Sequence, residues 1–455
     1  MPTSMTTPIP IPRPVQYPIL PWEITDAIID HLHSDVRALG VCSTVCAEWL
    51  IRSRYHIFST VQLWPWRAQR FFDLAGSEKC TFVNQIRCIK VDDSKTKAAA
   101  ADGRAGGTGM DERDGRTPFF EAMAYSSFPC FARVRTLAVH NVDWTKLSLR
   151  QQCTLRTRLS QFHQLDRLEL HGVIFHDMRE VARVVDAFPA LYHLTANVTF
   201  MKFLEHTIAS AMANPLSNKL RSLEVGTEEG VPVLLSSIAF AAGREPIREL
   251  KLRNVRSDHL QYIQNALRKA ENKLRHLSLG FELESGAKVS KEDIVRALDF
   301  SHLSHLQTLR LEGLNFFKTP CMEERLSGIL ESIESSFLES IHLRVRMDVE
   351  DSVAKMQKFN WCRIERALLA LHFFGMKFVV VVVDIPSRST VTEEEVGGWI
   401  TGGMSDLYSR GALRVSVVRE GRAGEVESSS GQSNVLLAPG PGTVLTIRIT
   451  VASKA

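Results

Sequence analysis

Residues 247–279 read IRELKLRNVRSDHLQYIQNALRKAENKLRHLSL. The first and the last six residues of this stretch both follow the pattern of a short strand, with an apolar residue at the first, fourth and sixth positions. Between them, Leu260, Ile263 and Leu267 recur at helical spacing. A helix between two short strands acts as a right-handed crossover and makes the strands parallel neighbours. The stretch therefore predicts a repeating unit of one strand and one helix.

The same strand pattern occurs nine times between residues 86 and 343. The apolar triplets are Ile86, Ile89 and Val91; Val134, Leu137 and Val139; Leu165, Leu168 and Leu170; Leu191, Leu194 and Ala196; Leu220, Leu223 and Val225; Ile247, Leu250 and Leu252; Leu274, Leu277 and Leu279; Leu306, Leu309 and Leu311; Leu338, Ile341 and Leu343. From the second triplet onward they lie about 26 to 32 residues apart, at or slightly above the length of leucine-rich repeats. We predict an α/β leucine-rich-repeat solenoid; the alternative is a conventional α/β domain in which the pattern recurs by coincidence.

The turns after these strands depart from the regular repeat. Where the usual repeat has an asparagine that binds the turn, several units carry an apolar residue: Val142, Val173, Val255 and Leu314. The asparagine ladder is therefore expected to be missing. We predict that the solenoid is irregular.

The strand and helix pattern continues towards the C-terminus. KFVVVVVDI at 377–385 and ALRVSVV at 412–418 predict two more strands. Between them, Thr392 and Glu395 have the spacing of a capping box. The helix that they begin should carry Val396, Ile400 and Leu407 on one face and end at Gly411.

Two segments, 92–116 and 420–442, are rich in glycine, serine and charge and lack periodicity, so we predict flexible loops. Val444–Val451 alternates like a last strand. The predicted organisation is a disordered leader at 1–16, a helical head at 17–63, the solenoid at 64–419 with an insertion at 92–116, a flexible loop at 420–442, and a terminal strand and tail at 443–455.

The head is predicted from three helical patterns. Leu20-Pro21 precedes WEITDAIIDHL, in which Ile24, Ile28 and Leu32 recur every four residues. Ser34 and Asp35 favour the start of a second helix. One face of that helix is predicted to carry Leu39, Cys42, Cys46 and Trp49. A unit of roughly forty residues is near the lower size limit for an independent core.

These residues, LP-x-E-I-x3-I-x3-L followed by Leu39 and V-C-x2-W at 45–49, resemble the F-box. The tail SRYHIFSTVQL at 53–63 is similar to that of F-box proteins from filamentous and mushroom-forming fungi. The resemblance implies that the head binds the Skp-type adaptor of a cullin-RING ubiquitin ligase. The residues implied are Leu20, Pro21, Ile24, Ile28, Leu32, Leu39, Val45 and Trp49. The alternative is a helical cap that only covers the end of the solenoid.

Composition restricts the class of protein. The 55 basic and 51 acidic residues are interleaved, without a Lys/Arg run that would predict nucleic-acid binding. The most apolar stretch, 367–383, is interrupted by His372 and Lys377 and is marginal for the roughly 20 residues of a membrane span. Eight scattered cysteines without C-x-x-C spacing indicate reduced thiols, so we expect an intracellular protein of the cytoplasm or nucleus.

Sites for chemistry are sparse. The glycine-rich segment 103–109 lacks the Gly-Lys-Ser/Thr ending of a phosphate-binding loop. Cys42 and Cys46 lack a second pair that could complete a zinc site. His302 and His305 have ligand-like spacing but precede a strand, where a solvated turn is expected. We predict no cofactor, no metal and no catalytic residues.

The predicted function is a substrate-recognition subunit of a cullin-RING ubiquitin ligase. Its head would bind the Skp-type adaptor, which joins it to the cullin scaffold, and the open face of its sheet would bind an unknown target protein. Two alternatives remain: a ligase-independent interaction scaffold, and an enzyme built on a solenoid-like frame.

Overall fold

The structure is a computed structural model that describes residues 21–93, 131–202, 204–213, 219–239, 247–270, 273–281, 298–314, 322–347, 356–370, 375–386 and 391–419, with Met123, Leu216 and Ser389. Several predictions fall outside the described residues: the leader, Leu20, the glycine-rich segment 103–109, the loop 92–116 beyond Asp93, the loop 420–442 and the strand 444–451.

The head consists of three helices, α1 Trp22–His31, α2 Val36–Cys42 and α3 Ala47–Ser59. As predicted, Asp35 begins α2: its carboxylate accepts hydrogen bonds from the backbone N–H groups of Arg37 and Ala38, both at 3.0 Å. The predicted shared face of Leu39, Cys42, Cys46 and Trp49 is wrong. The helix ends at Cys42 because the Ser43 and Thr44 hydroxyls donate back to its last carbonyl groups, and Cys46 is an exposed, extended residue before α3.

The described strands form one parallel sheet whose twelve members follow the order of the sequence. They are β1 Thr60–Leu63, β2 Cys88–Asp92, β3 Thr136–His140, β4 Arg167–Phe175, β5 His193–Phe200, β6 Ser222–Val225, β7 Glu249–Val255, β8 His276–Phe281, β9 Thr308–Leu314, β10 Ser340–Arg346, β11 Phe378–Ile385 and β12 Leu413–Arg419. All nine predicted strands are present as β2–β10, and the predicted α/β solenoid is confirmed.

Helices connect the strands and share one continuous core with them. The described helices after the head are α4 Pro65–Ala75, α5 Leu149–Leu159, α6 Met178–Asp186, α7 Leu204–Ala213, α8 Gly230–Ala239, α9 Leu260–Ala270, α10 Met322–Glu331, α11 Trp361–Ala370, α12 Glu393–Gly403 and α13 Ser405–Ser409. The predicted capping box of Thr392 and Glu395 begins α12. That helix ends at Gly403 rather than at Gly411, because the chain breaks at Met404 and places Leu407 in the short α13.

The strand leucines explain the regular stacking. Parallel pairing sets Leu223 beside Leu250 and Leu250 beside Leu277, and all three are at most 3% exposed. Burial of a leucine side chain contributes about 1.5–3 kcal/mol. Since each strand carries such residues at alternate positions, every repeat buries its apolar face against the next one.

In or directly after four strands, a left-handed residue stands immediately before a buried apolar residue: Asn141, Gly172, Asn254 and Gly313, with φ of 58°, 64°, 54° and 69°. The Nδ2 group of Asn254 donates to the Gly226 carbonyl at 2.9 Å, and that of Asn141 donates to Asp92 at 3.2 Å. The position where the regular repeat has its asparagine is apolar in these four units, and in two repeats an asparagine that was not predicted makes a contact one position earlier, because asparagine tolerates this conformation.

The sheet begins earlier than predicted. Residues 60–63, which were assigned to the head, form β1 and pair with β2 from Thr60 beside Cys88 to Leu63 beside Val91. Leu63 is 3% exposed and belongs to the solenoid core. The last helix of the head thus runs directly into the first strand.

Candidate interaction surfaces

The predicted adaptor-binding residues occupy different environments in the head. Pro21, Ile24, Ile28 and Val45 are exposed, Leu32 and Trp49 are half-buried, Leu39 is buried, and Leu20 lies outside the described residues. Ile24 and Ile28 are 48% and 42% exposed and lie one turn apart on α1, so they form an apolar stripe towards solvent. Leu39 is 0% exposed and supports the head from inside.

The head exposes further large apolar side chains that the motif did not indicate. They are Trp22, Val36, Val41, Ile51 and Tyr55. Trp22 is 71% exposed and Ile51 is 70% exposed. The spacing of Ile51 and Tyr55, one helical turn apart, is a signal that could have revealed a shared face. The sequence gives no sign of which face of α3 turns outward.

The interior of the head is small compared with this exposed surface. Within the described residues 21–59, three apolar side chains are buried, namely Ile29, Leu39 and Cys42, whereas eight large ones are exposed. The rest of the described chain, although far longer, exposes seven. So many exposed apolar side chains in one small unit favour an interaction surface, since scattered single residues are the ordinary case.

An ionic cluster joins the first and third helices of the head. The Asp30 carboxylate accepts two hydrogen bonds from the Arg52 guanidinium, both at 2.6 Å, and the His56 Nε2 atom lies 2.7 Å from it. The hydrogen bonds from Arg52 and then from His56 hold the pKa of Asp30 well below its ordinary value, although burial opposes them. This cluster fixes the orientation of α1, and hence of Ile24 and Ile28.

The head is anchored on the first repeat. The Phe58 ring, near the end of α3, stacks on Phe82 with 4.7 Å between ring centroids. The Arg87 backbone N–H donates to the Ser59 carbonyl at 2.8 Å. These contacts are made by the C-terminal end of α3 rather than by α1.

The central part of the open sheet face carries charges that compensate one another. Glu224 on β6 lies 3.2 Å from the Lys251 ammonium and 2.7 Å from the Arg253 guanidinium, both on β7. On β4, Arg167 lies 3.8 Å from Glu169. Because these acids and bases pair within the chain, this region presents little unbalanced charge to a partner.

On β11 the open face of the sheet carries apolar side chains rather than paired charges. Phe378, Val380 and Val382, here called the apolar row, alternate with the buried Val379, Val381 and Val383 and are half-buried. The Arg414 guanidinium on β12 lies 4.7 Å from the centroid of the Phe378 ring. On the other side, the His342 ring meets Phe378 edge-on at 6.0 Å. The Arg344 guanidinium donates to both Asp384 oxygens, at 2.7 and 2.9 Å.

The described residues contain neither a cluster of metal ligands nor a membrane-spanning helix. No group of three or more His, Cys, Asp or Glu side chains there could hold a metal ion. Of the two histidines with ligand-like spacing, His302 and His305, the His305 ring stacks on Phe337 with 5.2 Å between ring centroids. In the same part of the chain, no helix combines the length and apolar character that crossing a membrane requires. Its cysteines, Cys42, Cys46, Cys80, Cys88, Cys153 and Cys362, are free thiols.

Comparison with known proteins gives limited similarity. No model of a protein family matches the chain, and no curated protein matches it. Among solved structures, a similar chain occurs in the crystal structure of the Rad7 and Elc1 complex in yeast, with 11% identity, a TM-score of 0.38 and coverage of 88% of each chain.

Proposed function

We propose that this protein is a substrate receptor of a cullin-RING ubiquitin ligase, a binding protein rather than an enzyme. The head binds a Skp-type adaptor, which links it to the cullin scaffold, and the solenoid holds a target protein. The observation that carries the proposal is the head surface, where eight large apolar side chains are exposed around a core of three buried ones. A partner that covers this surface would complete a core too small by itself.

The F-box-like pattern of the head agrees with that surface. Ile24 and Ile28, which the pattern assigns to the adaptor, face outward on α1 rather than into the head. A helix that only capped the solenoid would turn its apolar residues towards the sheet. Here the contact with the first repeat is made by Phe58 instead.

Binding of a purified Skp-type adaptor tests this proposal. The double variant Ile24→Asp/Ile28→Asp should weaken binding by about thirtyfold for each residue, because central apolar anchors of an interface are worth on the order of 2 kcal/mol each. The matched control is Leu149→Asp on α5, between β3 and β4, where the leucine is 76% exposed. It should leave the affinity unchanged, measured by isothermal titration calorimetry, and neither protein should lose its thermal transition.

A second double variant, Leu20→Ala/Pro21→Ala, should also abolish adaptor binding and leave the repeats folded. Wild-type protein that does not bind the adaptor at all, while its head is folded, would instead favour the ligase-independent scaffold. Equal loss of affinity in the head variant and in Leu149→Asp would also refute the assignment of the head surface.

A further inference from the structure

The two ends of the described sheet differ. Its outer strands are β1 and β12, and each of them pairs with one neighbour. At the β1 end, α3 runs directly into the strand, so the head stands beside it. At the β12 end, no described element follows the strand. A solenoid requires a cap at such an end, because the outermost repeat has no neighbour to cover its apolar face.

The free edge of β12 presents backbone groups to which no described strand pairs. The Val379 N–H on β11 donates to the Ala412 carbonyl of β12 at 2.7 Å. Successive residues of a strand point their backbone groups to opposite sides. The groups that face away from β11 are therefore those of Leu413, Val415 and Val417. An edge of this kind is a template for one further strand.

The core is also less covered at this edge. On β11, Val379, Val381 and Val383 are 0% exposed. On β12, Val415 stands in register with Val381 and points to the same side of the sheet, yet it is half-buried. A strand beside β12 would remove this apolar area from water, as each strand does for the one before it.

A segment with the pattern of such a strand occurs in the same chain, outside the described residues. Residues 444–451 read VLTIRITV, in which the apolar Leu445, Ile447 and Ile449 alternate with polar residues. Because the side chains of a strand alternate between two faces, these three would continue the core side of β12. Thr446 and Arg448 would then lie on the open face.

The connection between β12 and this segment permits the pairing. Residues 420–443 are more than the roughly dozen residues that a parallel connection needs, and an antiparallel connection needs fewer. A segment tethered to the same chain reaches an effective concentration of roughly millimolar order. It therefore has an advantage over a separate partner, or over a second copy of the chain, at micromolar concentration.

We propose that residues 444–451 add a strand to the free edge of β12 and so cap the solenoid. The backbone groups of Leu413, Val415 and Val417 pair with this segment, and Ile447 and Ile449 extend the core beyond Val415. The pairing closes an edge that other chains could otherwise join. It is independent of the proposed receptor function, and its test uses no adaptor.

The test is hydrogen–deuterium exchange of the full chain, resolved to single amides of β12. In the double variant Ile447→Asp/Ile449→Asp, the amides of Leu413, Val415 and Val417 should exchange at least tenfold faster than in the wild type, because carboxylates on the core side of the added strand are costly to bury. The β12 amides that bond to β11 should stay protected in both proteins, which shows that β12 itself remains folded.

The matched control is Val435→Asp/Leu437→Asp, a pair of apolar residues with the same spacing within 420–442. It should exchange as the wild type does. A fluorescein-labelled peptide of the sequence VLTIRITV provides a second readout. It should bind the Ile447→Asp/Ile449→Asp protein, whose edge is vacated, at least tenfold more tightly than the wild type, whose edge is occupied.

Several results would overturn the proposal. They are equal exchange of the three outward amides in the wild type and in Ile447→Asp/Ile449→Asp, an equal effect of Val435→Asp/Leu437→Asp, and equal affinity of the peptide for the wild type and the vacated variant. A dimer in sedimentation velocity that Ile447→Asp/Ile449→Asp dissociates would also overturn it, because the segment would then pair with the edge of a second copy.

Discussion

His259 lies at the start of α9 with 4% of its surface exposed, and its Nδ1 atom accepts a hydrogen bond from the Arg256 backbone N–H at 3.2 Å. Protonation of Nδ1 would break that bond. Burial, which disfavours the charged ring, lowers the pKa of His259 below its ordinary value of 6.5, against the attraction of Asp258. His140, His193 and His342 have pKa values lowered by burial in the same direction.

A histidine whose pKa is lower in the folded protein than in the unfolded protein binds more protons in the unfolded protein, at pH values between these two pKa values. The free energy of unfolding should therefore fall as the pH drops below 6.5. Urea unfolding at about pH 7.5 and about pH 5.5 measures this difference. His259→Gln should show a smaller difference than the wild type, whereas the exposed His163→Gln should match it. A wild-type protein that is equally stable at both pH values would contradict this account.

The end of β9 depends on Gly313. Its φ of 69° is strained for residues with a side chain, and an added Cβ would overlap the Phe281 carbonyl oxygen of the neighbouring strand. Gly313→Ala should therefore lower the free energy of unfolding by about 2 kcal/mol or more. Thermal and urea unfolding measure the loss.

The control for this turn is Gly398→Ala on α12, where an added Cβ meets no atom within 4 Å. It should stabilise the protein by up to about 1 kcal/mol, since alanine favours the helix over glycine. A Gly313→Ala protein as stable as the wild type would show that the left-handed turn does not hold β8 and β9 in register.

The sequence predicts those strands in which buried apolar residues recur at regular spacing. It does not predict features that lack such a recurring pattern. Alternating apolar residues such as Leu250 and Leu252 located the strands, because a buried sheet face requires them. Asn254 was overlooked because a left-handed turn depends on backbone conformation rather than on hydrophobic pattern. The exposure of Ile51 could not be predicted, because helical spacing shows which residues share a face but not whether that face lies towards solvent or towards the core. The apolar row could be predicted only as part of a strand. Because KFVVVVVDI has apolar residues on both faces, the pattern does not indicate which face is exposed.

Each repeat of a solenoid contacts its neighbours. A defect in a central repeat should therefore affect the repeats on both sides of it. Leu250 lies between Leu223 and Leu277 and is 3% exposed, so Leu250→Asp would bury an unpaired carboxylate at a cost of several kcal/mol. Loss of one central repeat uncouples the repeats on its two sides. We expect the single unfolding transition of the wild type to split into two, as measured by calorimetry.

The control for the central repeat is Ser278→Asp, on the open face between Lys251 and Arg310 in register. A carboxylate there is solvated and faces basic neighbours, so the single transition should persist. Early proteolytic cleavage of the wild-type protein between Leu220 and Leu311, rather than within 92–116 or 420–442, would contradict a continuous solenoid.

The order of the strands in the sheet also bears on how the protein can form during translation. Each strand pairs with the strands directly before and after it in the sequence. When a strand leaves the ribosome, the neighbouring strand that precedes it has therefore already been synthesised. No strand of the described sheet needs a distant part of the chain in order to pair. The head emerges before all of them, with its apolar surface exposed, so an adaptor could engage the nascent chain while the solenoid is still growing behind it.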